Sequence, residues 1–464
     1  VSACLSRLVC AGCGAEPAPA DPYPFRCPRA ACGDDVDHVL RRELDLAALR
    51  FPASEEPNPF LRYRTLLYAY HLALSGGLSD EAFCELVRGL DENVAALDGR
   101  GFATTPFFRS TSLSEALGLS QRGGIWVKDE TQNVSGSHKA RHLFDVVVYL
   151  EVAERLGLAD AEHRTELAIA SCGNAALAAA VVAAAAGRAL RVFVPESAGT
   201  IVIGQLADLG ARVTVCKRDG RPGDPAYRAL LRALDEGALP FTCQGNLNGL
   251  AIEGGETLGW ELASAGAVVD RLVVQVGGGA LASACTQALD EAVALGALAG
   301  MPRIDTVQTE SAWPLRRAFD AVAARGYDER SLRFAAHHRS AFMWPWEHEP
   351  RSVAHGILDD ETYDWLAVVR GMLATGGRAL VVGEDRLERA NALARRTTGI
   401  DVDHTGSAGL AGLLALREAG EISDDERIAV LFTGVVRAAP PGRREEDEEL
   451  PRARHPVAQG LRAG

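Results

Sequence analysis

From residue 124 onward, short apolar runs alternate with helix-like segments, and this alternation constrains the fold more than any other feature. "GIWVK" precedes a helical stretch after Lys139, "LAIAS" (167–171) an alanine-rich run from Asn174, and "LRVFVP" (190–195) the segment "TIVIGQLADLG". "ARVTV" leads into "YRALLRALDEG", and "RLVVQV" (271–276), "RIDTVQT" (303–309), "RALVVG" (378–383) and "RIAVLFTG" (427–434) complete the series. Strands without polar alternation are buried on both faces, as parallel sheets covered by helices require. The expected fold class is α/β, with two open, mostly parallel twisted sheets and helices on both faces. Ligands in such sheets bind beyond the carboxyl ends of strands. The loops leaving those strands are therefore the place to look for chemistry.

Three such loops stand out. In "VKDETQNVSGSHKAR" (127–141), Lys139 lies between small residues and a helix start. A lysine desolvated at such a junction can attack a carbonyl, although most lysines are solvated surface groups. In "ASCGNAALAAA" (170–180), a strand ends at Ser171 and a helix begins near Asn174. Free N–H groups there can grip a carboxylate or phosphate; alternatively the turn is a plain cap on Asn174. In "VQVGGGALASA" (274–284), a strand runs through Gly277, Gly278 and Gly279 into a helix, which suits an anion at the positive helix end. No Gly-Lys-Ser/Thr follows, so this is not a Walker loop, and the second spaced glycine of the dinucleotide fingerprint is absent.

The N-terminal segment 1–40 carries Cys10-x2-Cys13 and Cys27-x4-Cys32 around "GAEPAPADPYPFR". Four thiols so spaced either surround one zinc ion, as in a zinc ribbon, or are unrelated thiols of an arm. A formal charge of −14 argues against a nucleic-acid surface as the main business of the chain. The longest apolar run (175–187) is too short to cross a bilayer, and the start lacks a continuous apolar signal region. The expectation is a cytoplasmic protein with neither nucleic-acid nor membrane partner. "AAHHRSAFMWPWEHEP", with His337, His338 and His348, has poor metal spacing and is expected to be structural or lid-forming.

Taken in order, "TTP" (104–106), "VKDETQNVSGSHKAR", "IASCGNAALAAA" (169–180), "LADLGARVTV" (206–215), "IEGGETLGWEL" (252–262), "VQVGGGA" and "LFTG" resemble the fold type II pyridoxal-phosphate enzymes. The likeness is greatest to the threonine synthase family and covers about 100–435. It implies that Lys139 holds the cofactor covalently and serves as the catalytic group, and that Asn174 contacts the cofactor's ring hydroxyl. By the same likeness, Ser171, Cys172, Gly173, Asn174 and Ala175 receive the substrate carboxylate. Gly277, Gly278, Gly279 and Ala280 hold the phosphate, and Thr433 faces the pyridine nitrogen. His138, where many relatives have Phe, resembles the tryptophan synthase β-chain and is expected near the phosphate. The implied layout is a large cofactor domain (41–142 and 241–437) and a small inserted α/β domain (143–240), preceded by the N-terminal ribbon (1–40); the tail (438–464), charged and proline-broken, is expected from its composition to be disordered. A homodimer is implied as well.

Departures from the family pattern concern the substrate. Ala140 stands where threonine synthases carry Asp, Ala175 where they carry Thr, and "TGVVRAA" replaces a Gly-His-Gly-Leu-Lys type segment. Without a hydroxyl at 175, Arg141 and Lys128 are the expected sources of charge for a substrate phosphate. The leading expectation is elimination or replacement at Cβ or Cγ of an amino acid. A threonine or serine ammonia-lyase, a β-replacement enzyme and a zinc-ribbon scaffold with a vestigial site are the alternatives.

Overall fold

The computed structural model describes residues 4–437 apart from 32, 197, 219, 222 and 327. The 438–464 tail, expected to be disordered, lies outside the described residues. Among the described residues, twelve strands form three sheets. A two-stranded antiparallel ribbon pairs β1 (Ser6–Cys10) with β2 (Leu40–Leu44), so it runs past the boundary expected at residue 40. The remaining strands are β3 (Phe107–Ser110), β4 (Gly124–Asp129), β5 (Leu167–Ala170), β6 (Leu190–Pro195), β7 (Arg212–Cys216), β8 (Leu239–Pro240), β9 (Arg271–Gln275), β10 (Arg303–Thr309), β11 (Ala379–Val382) and β12 (Arg427–Phe432).

The large sheet has the order β11-β10-β9-β12-β4-β3, and every pairing is parallel except the edge pair β3/β4. The small sheet, β7-β6-β5-β8, is wholly parallel. The α/β expectation holds, and the apolar runs explain it. All of β9 is buried, as is β10 beyond its first residue, so both faces need helical cover.

Helices that form or support the walls of the site include α1 (Lys139–Arg155), α2 (Asn174–Ala185), α3 (Leu250–Ser264), α4 (Ala280–Ala294), α5 (Trp365–Thr375) and α6 (His404–Glu418). Nine of the twelve α2 residues are buried, mostly alanines, and their small side chains let the helix lie close to its neighbours. Buried ion pairs tie the layers together. Arg42 on β2 meets Glu253 at 3.0 Å and Glu256, both on α3, and Glu291 on α4 at 2.9 Å. The ribbon is thus bolted to the helices behind the large sheet.

Candidate active site

Strand-to-helix turns from both large and small sheets open onto one cavity of about 680 Å³. Lys139 begins α1 at its wall. The backbone before it is held in an unusual shape: Ser135 takes φ of +55°, with its N–H donating to Asp98 Oδ2 (3.0 Å) and its carbonyl accepting from Arg437 (2.8 Å). A bridge between Ser137 and Gly434 then sets the lysine loop beside the end of β12. Such strain persists only where surrounding contacts enforce it.

Ser171, Cys172, Gly173, Asn174 and Ala175, at the start of α2, line the same cavity. Gly173 precedes a twelve-residue helix, and Asn174 Oδ1 accepts from Arg437 Nη2 at 2.7 Å. That bond leaves the amide N–H groups of Asn174 to face the other way. Burial pushes the Cys172 thiol pKa up, so the group is no ready nucleophile.

Gly277, Gly278, Gly279 and Ala280 line the opposite wall. Gly279 takes φ of +96°, and an added Cβ would lie 2.8 Å from Thr362 Cγ2. On Gly277, a Cβ would lie 2.2 Å from Asp359 Oδ2 and 2.8 Å from Ile357 Cα. Glycine is therefore required by close approach and, at 279, also by backbone shape. Segment 357–364 clasps the turn: Thr362 Oγ1 donates to Gly277 O (2.9 Å), and Asp364 N–H donates to Gly278 O (3.1 Å). The Gly278 N–H faces the Asp359 carboxylate. Burial raises the Asp359 pKa, and the charge of Lys139 opposes that rise. Burial likewise pushes Asp364 up to about 7, against the N–H of Gly245.

Thr433 directly follows β12, and its Oγ1 accepts from Gln275 Nε2 at 2.6 Å. His138 lines the cavity with its ring buried. Burial, then the charges of Lys139 and His142, push its pKa well down, so the imidazole is neutral. Its Nδ1 lies 3.4 Å from Thr433 O, which favours the proton on that nitrogen, and its Nε2 has no hydrogen-bond partner among the described residues. A neutral ring offers the cavity a dipole rather than a charge.

Two expected residues are elsewhere. Arg141 and Lys128 are fully buried beneath the site. Arg141 binds Glu130 (2.8 Å) and Glu261 (2.6 Å), and Lys128 binds Glu261 (2.5 Å). A buried cation must be paired, and these are paired with carboxylates rather than facing a substrate. Burial pushes Glu261 up, but Arg141 and Lys128 outweigh it and hold its pKa low. Of the four expected metal thiols, Cys10, Cys13 and Cys27 converge together with His38, whereas Cys32 lies outside the described residues. His338 stacks on Phe334 at 3.9 Å and bonds its carbonyl, which is a structural engagement.

Sequence reasoning missed Gln275, Asp359, Thr362 and Asp364. The glutamine closing the buried strand β9 was a usable signal, whereas the acids of "LDDETYD" carry no local motif.

The residues fit the pyridoxal phosphate that the resemblance implies. A glycine turn opens a fifteen-residue helix, the Asp359 carboxyl group already accepts from the Gly278 N–H of that turn, and a buried imidazole nitrogen with no partner among the described residues shares the cavity with a lysine. Comparisons with known proteins agree. The chain is 26% identical over 337 residues to a threonine synthase of Methanocaldococcus jannaschii, covering 71% of this chain and 74% of that one. It is 31% identical over 180 residues to an L-threonine ammonia-lyase of Thermotoga maritima, covering 39% and 41%. Among solved structures, maize serine racemase superposes with a TM-score of 0.56 at 19% identity, covering 76% of this chain and 92% of that one, which is a likeness of fold. The model of the family described as "Pyridoxal-phosphate dependent enzyme" matches residues 100–434, and this chain belongs to that family.

Proposed function

We propose that this enzyme carries out elimination or replacement at Cβ or Cγ of an amino acid, as a threonine synthase-like lyase. The observation that carries the reading is the Thr433 hydroxyl, held by Gln275 Nε2 at 2.6 Å. Since Thr433 Oγ1 accepts that bond, its own proton is free to be donated to a ring nitrogen. A hydroxyl supplies no full charge there, whereas a carboxylate would keep the ring protonated. Bound pyridoxal phosphate supplies an electron sink for the charge that develops at the substrate Cα. A shallower sink favours reactions in which loss of the Cα proton is coupled to departure of a side-chain group, and disfavours transamination.

The chain's own groups divide the work. The Lys139 amine would hold the cofactor aldehyde and, once displaced by the incoming amino group, take the proton from Cα. The N–H groups at the start of α2 would bind the substrate carboxylate, and the Asn174 amide the ring hydroxyl. The Gly277–Ala280 turn, at the positive end of α4, would seat the phosphate.

A second reading, ammonia-lyase action on threonine or serine, is favoured by Arg141 and Lys128. Both cations are bound to internal carboxylates and so are lost to a phosphate-bearing side chain. Ala175 offers that side chain no hydroxyl either. The test is spectroscopic and then chemical. Purified protein should show the visible absorption band of lysine-bound cofactor, and Lys139→Ala should lose it. Threonine and phosphate formed from O-phosphohomoserine would support the first reading, and 2-oxobutyrate from threonine alone the second. Protein with no band and no uptake of added cofactor would sink both and leave the scaffold.

A further inference from the structure

We propose that Cys10, Cys13, Cys27 and His38 bind one structural zinc ion, and that this ion fixes the strap of chain that clasps the glycine turn of the active site. Their ligand atoms all lie within 4.8 Å of one another. Tetrahedral zinc with Zn–S of ~2.3 Å and Zn–N of ~2.0–2.1 Å places neighbouring sulfurs ~3.8 Å apart, and sulfur and nitrogen ~3.5 Å apart. Cys13 Sγ and Cys27 Sγ are 3.6 Å apart, and Cys10 Sγ and His38 Nδ1 are 3.5 Å apart. A disulfide between Cys13 and Cys27 would require ~2.05 Å and would leave Cys10 and His38 facing each other for no reason.

The surroundings are those of a ligand set. His38 Nε2 donates to Asp34 Oδ2 at 2.9 Å, which aims Nδ1 at the sulfurs, and the Asp34 carboxylate is itself held by the N–H groups of Val36 and Ala31. The backbone N–H of Arg29 points at Cys27 Sγ (3.4 Å), those of Gly12 and Cys13 at Cys10, and that of Ala15 at Cys13. Such donors stabilise thiolates. Gly12 sits where a Cβ would lie 2.3 Å from Asp37 O, so the two halves of the site are pressed together. On binding, each of the three thiols gives its proton to water, and the neutral imidazole lends its lone pair. Three thiolates on a divalent ion leave a singly negative centre, and four filled positions leave no opening for catalysis.

The reach of the site comes from the residue next to the ligand. Asp37 Oδ1 accepts from Trp365 Nε1 (3.1 Å) and Arg339 Nε (3.1 Å), and its N–H donates to Ala336 O (2.8 Å). Trp365 begins α5, and the preceding Asp364 and Thr362 hold Gly278 and Gly277. His38, Asp37, Trp365, Asp364 and Gly278 form one continuous path from ribbon to turn.

The test uses the full-length chain and does not depend on which reaction the enzyme performs. One zinc per chain should survive gel filtration, and cobalt substitution should give a thiolate charge-transfer band with tetrahedral ligand-field intensity. His38→Ala and Cys13→Ser should lose the metal, and Asp34→Ala should weaken it roughly 10- to 100-fold. His38→Cys, a variant that keeps four ligands, should retain zinc and shift the cobalt spectrum. Cys32→Ser should leave metal content and spectrum unchanged. Zinc removal should raise the dissociation constant for pyridoxal phosphate about 5-fold or more, read by absorbance titration. A wild-type chain that takes up no zinc, or that contains a Cys13–Cys27 disulfide, overturns the site. So does loss of zinc in Cys32→Ser with retention in His38→Ala. Unchanged cofactor affinity in the zinc-free protein overturns the coupling.

Discussion

At the turn before α2, residues 171–175 are half-buried, and a Cβ on Gly173 would meet nothing within 4 Å. At the turn before α4, Gly277 and Gly279 are buried, and a Cβ on either would strike Asp359 or Thr362. Both turns are strand-to-helix junctions that offer N–H groups to an anion. The first has room around its glycine, whereas the second is clasped from behind by the 357–364 segment, although both line one cavity. The difference matches the two proposed guests, a substrate that turns over and a cofactor that stays.

The largest expected effect removes the floor under both turns. Arg141→Met leaves Glu130 and Glu261 buried without their cation and should destabilise the fold by about 3–5 kcal/mol in denaturant unfolding. A loss near zero would mean that the network does not support α1. Next, the clasp should respond to pH. Asp364 is raised from 3.8 to about 7 by burial, so the folded chain keeps a proton that the unfolded chain has released. Stability should therefore fall as pH rises from about 4 to about 7, by a few kcal/mol at most, and stay low above that. Asp364→Asn should flatten that slope, and thermal melts across the window read it.

Gly279→Ala forces a left-handed alanine against Thr362 and should cost about 1–2 kcal/mol while weakening cofactor binding. Gly173→Ala should change stability by less than about 0.5 kcal/mol, leave cofactor affinity alone and raise KM for the amino acid. If Gly173→Ala and Gly279→Ala weakened the cofactor equally, the contrast between the turns would disappear.

Local pattern made the architecture legible. β6 and β10 have the boundaries their apolar runs suggest, and the glycine and Ser-x-Gly-Asn turns lie where strands give way to helices. Partnerships across long stretches of chain were not legible. Arg141 and Lys128 look available in sequence because the carboxylate they share, Glu261, comes 120 residues and more later, while nearby Glu130 gives no sign that it binds Arg141. Spacing also favoured Cys32 over His38 because paired cysteines are the usual mark of a ribbon. Yet Cys10 pairs with Leu40 where the strands meet, and that register carries His38 to the sulfurs. The acids at 359 and 364 are uninformative until α5 and its lead-in fold over the glycines.

Asp359 has a consequence for the protein before it is loaded. Its carboxyl group faces the Gly278 N–H beside Lys139, so the turn presents no bare donor at that spot before the cofactor arrives. Loading would then exchange one acceptor for another at the same N–H.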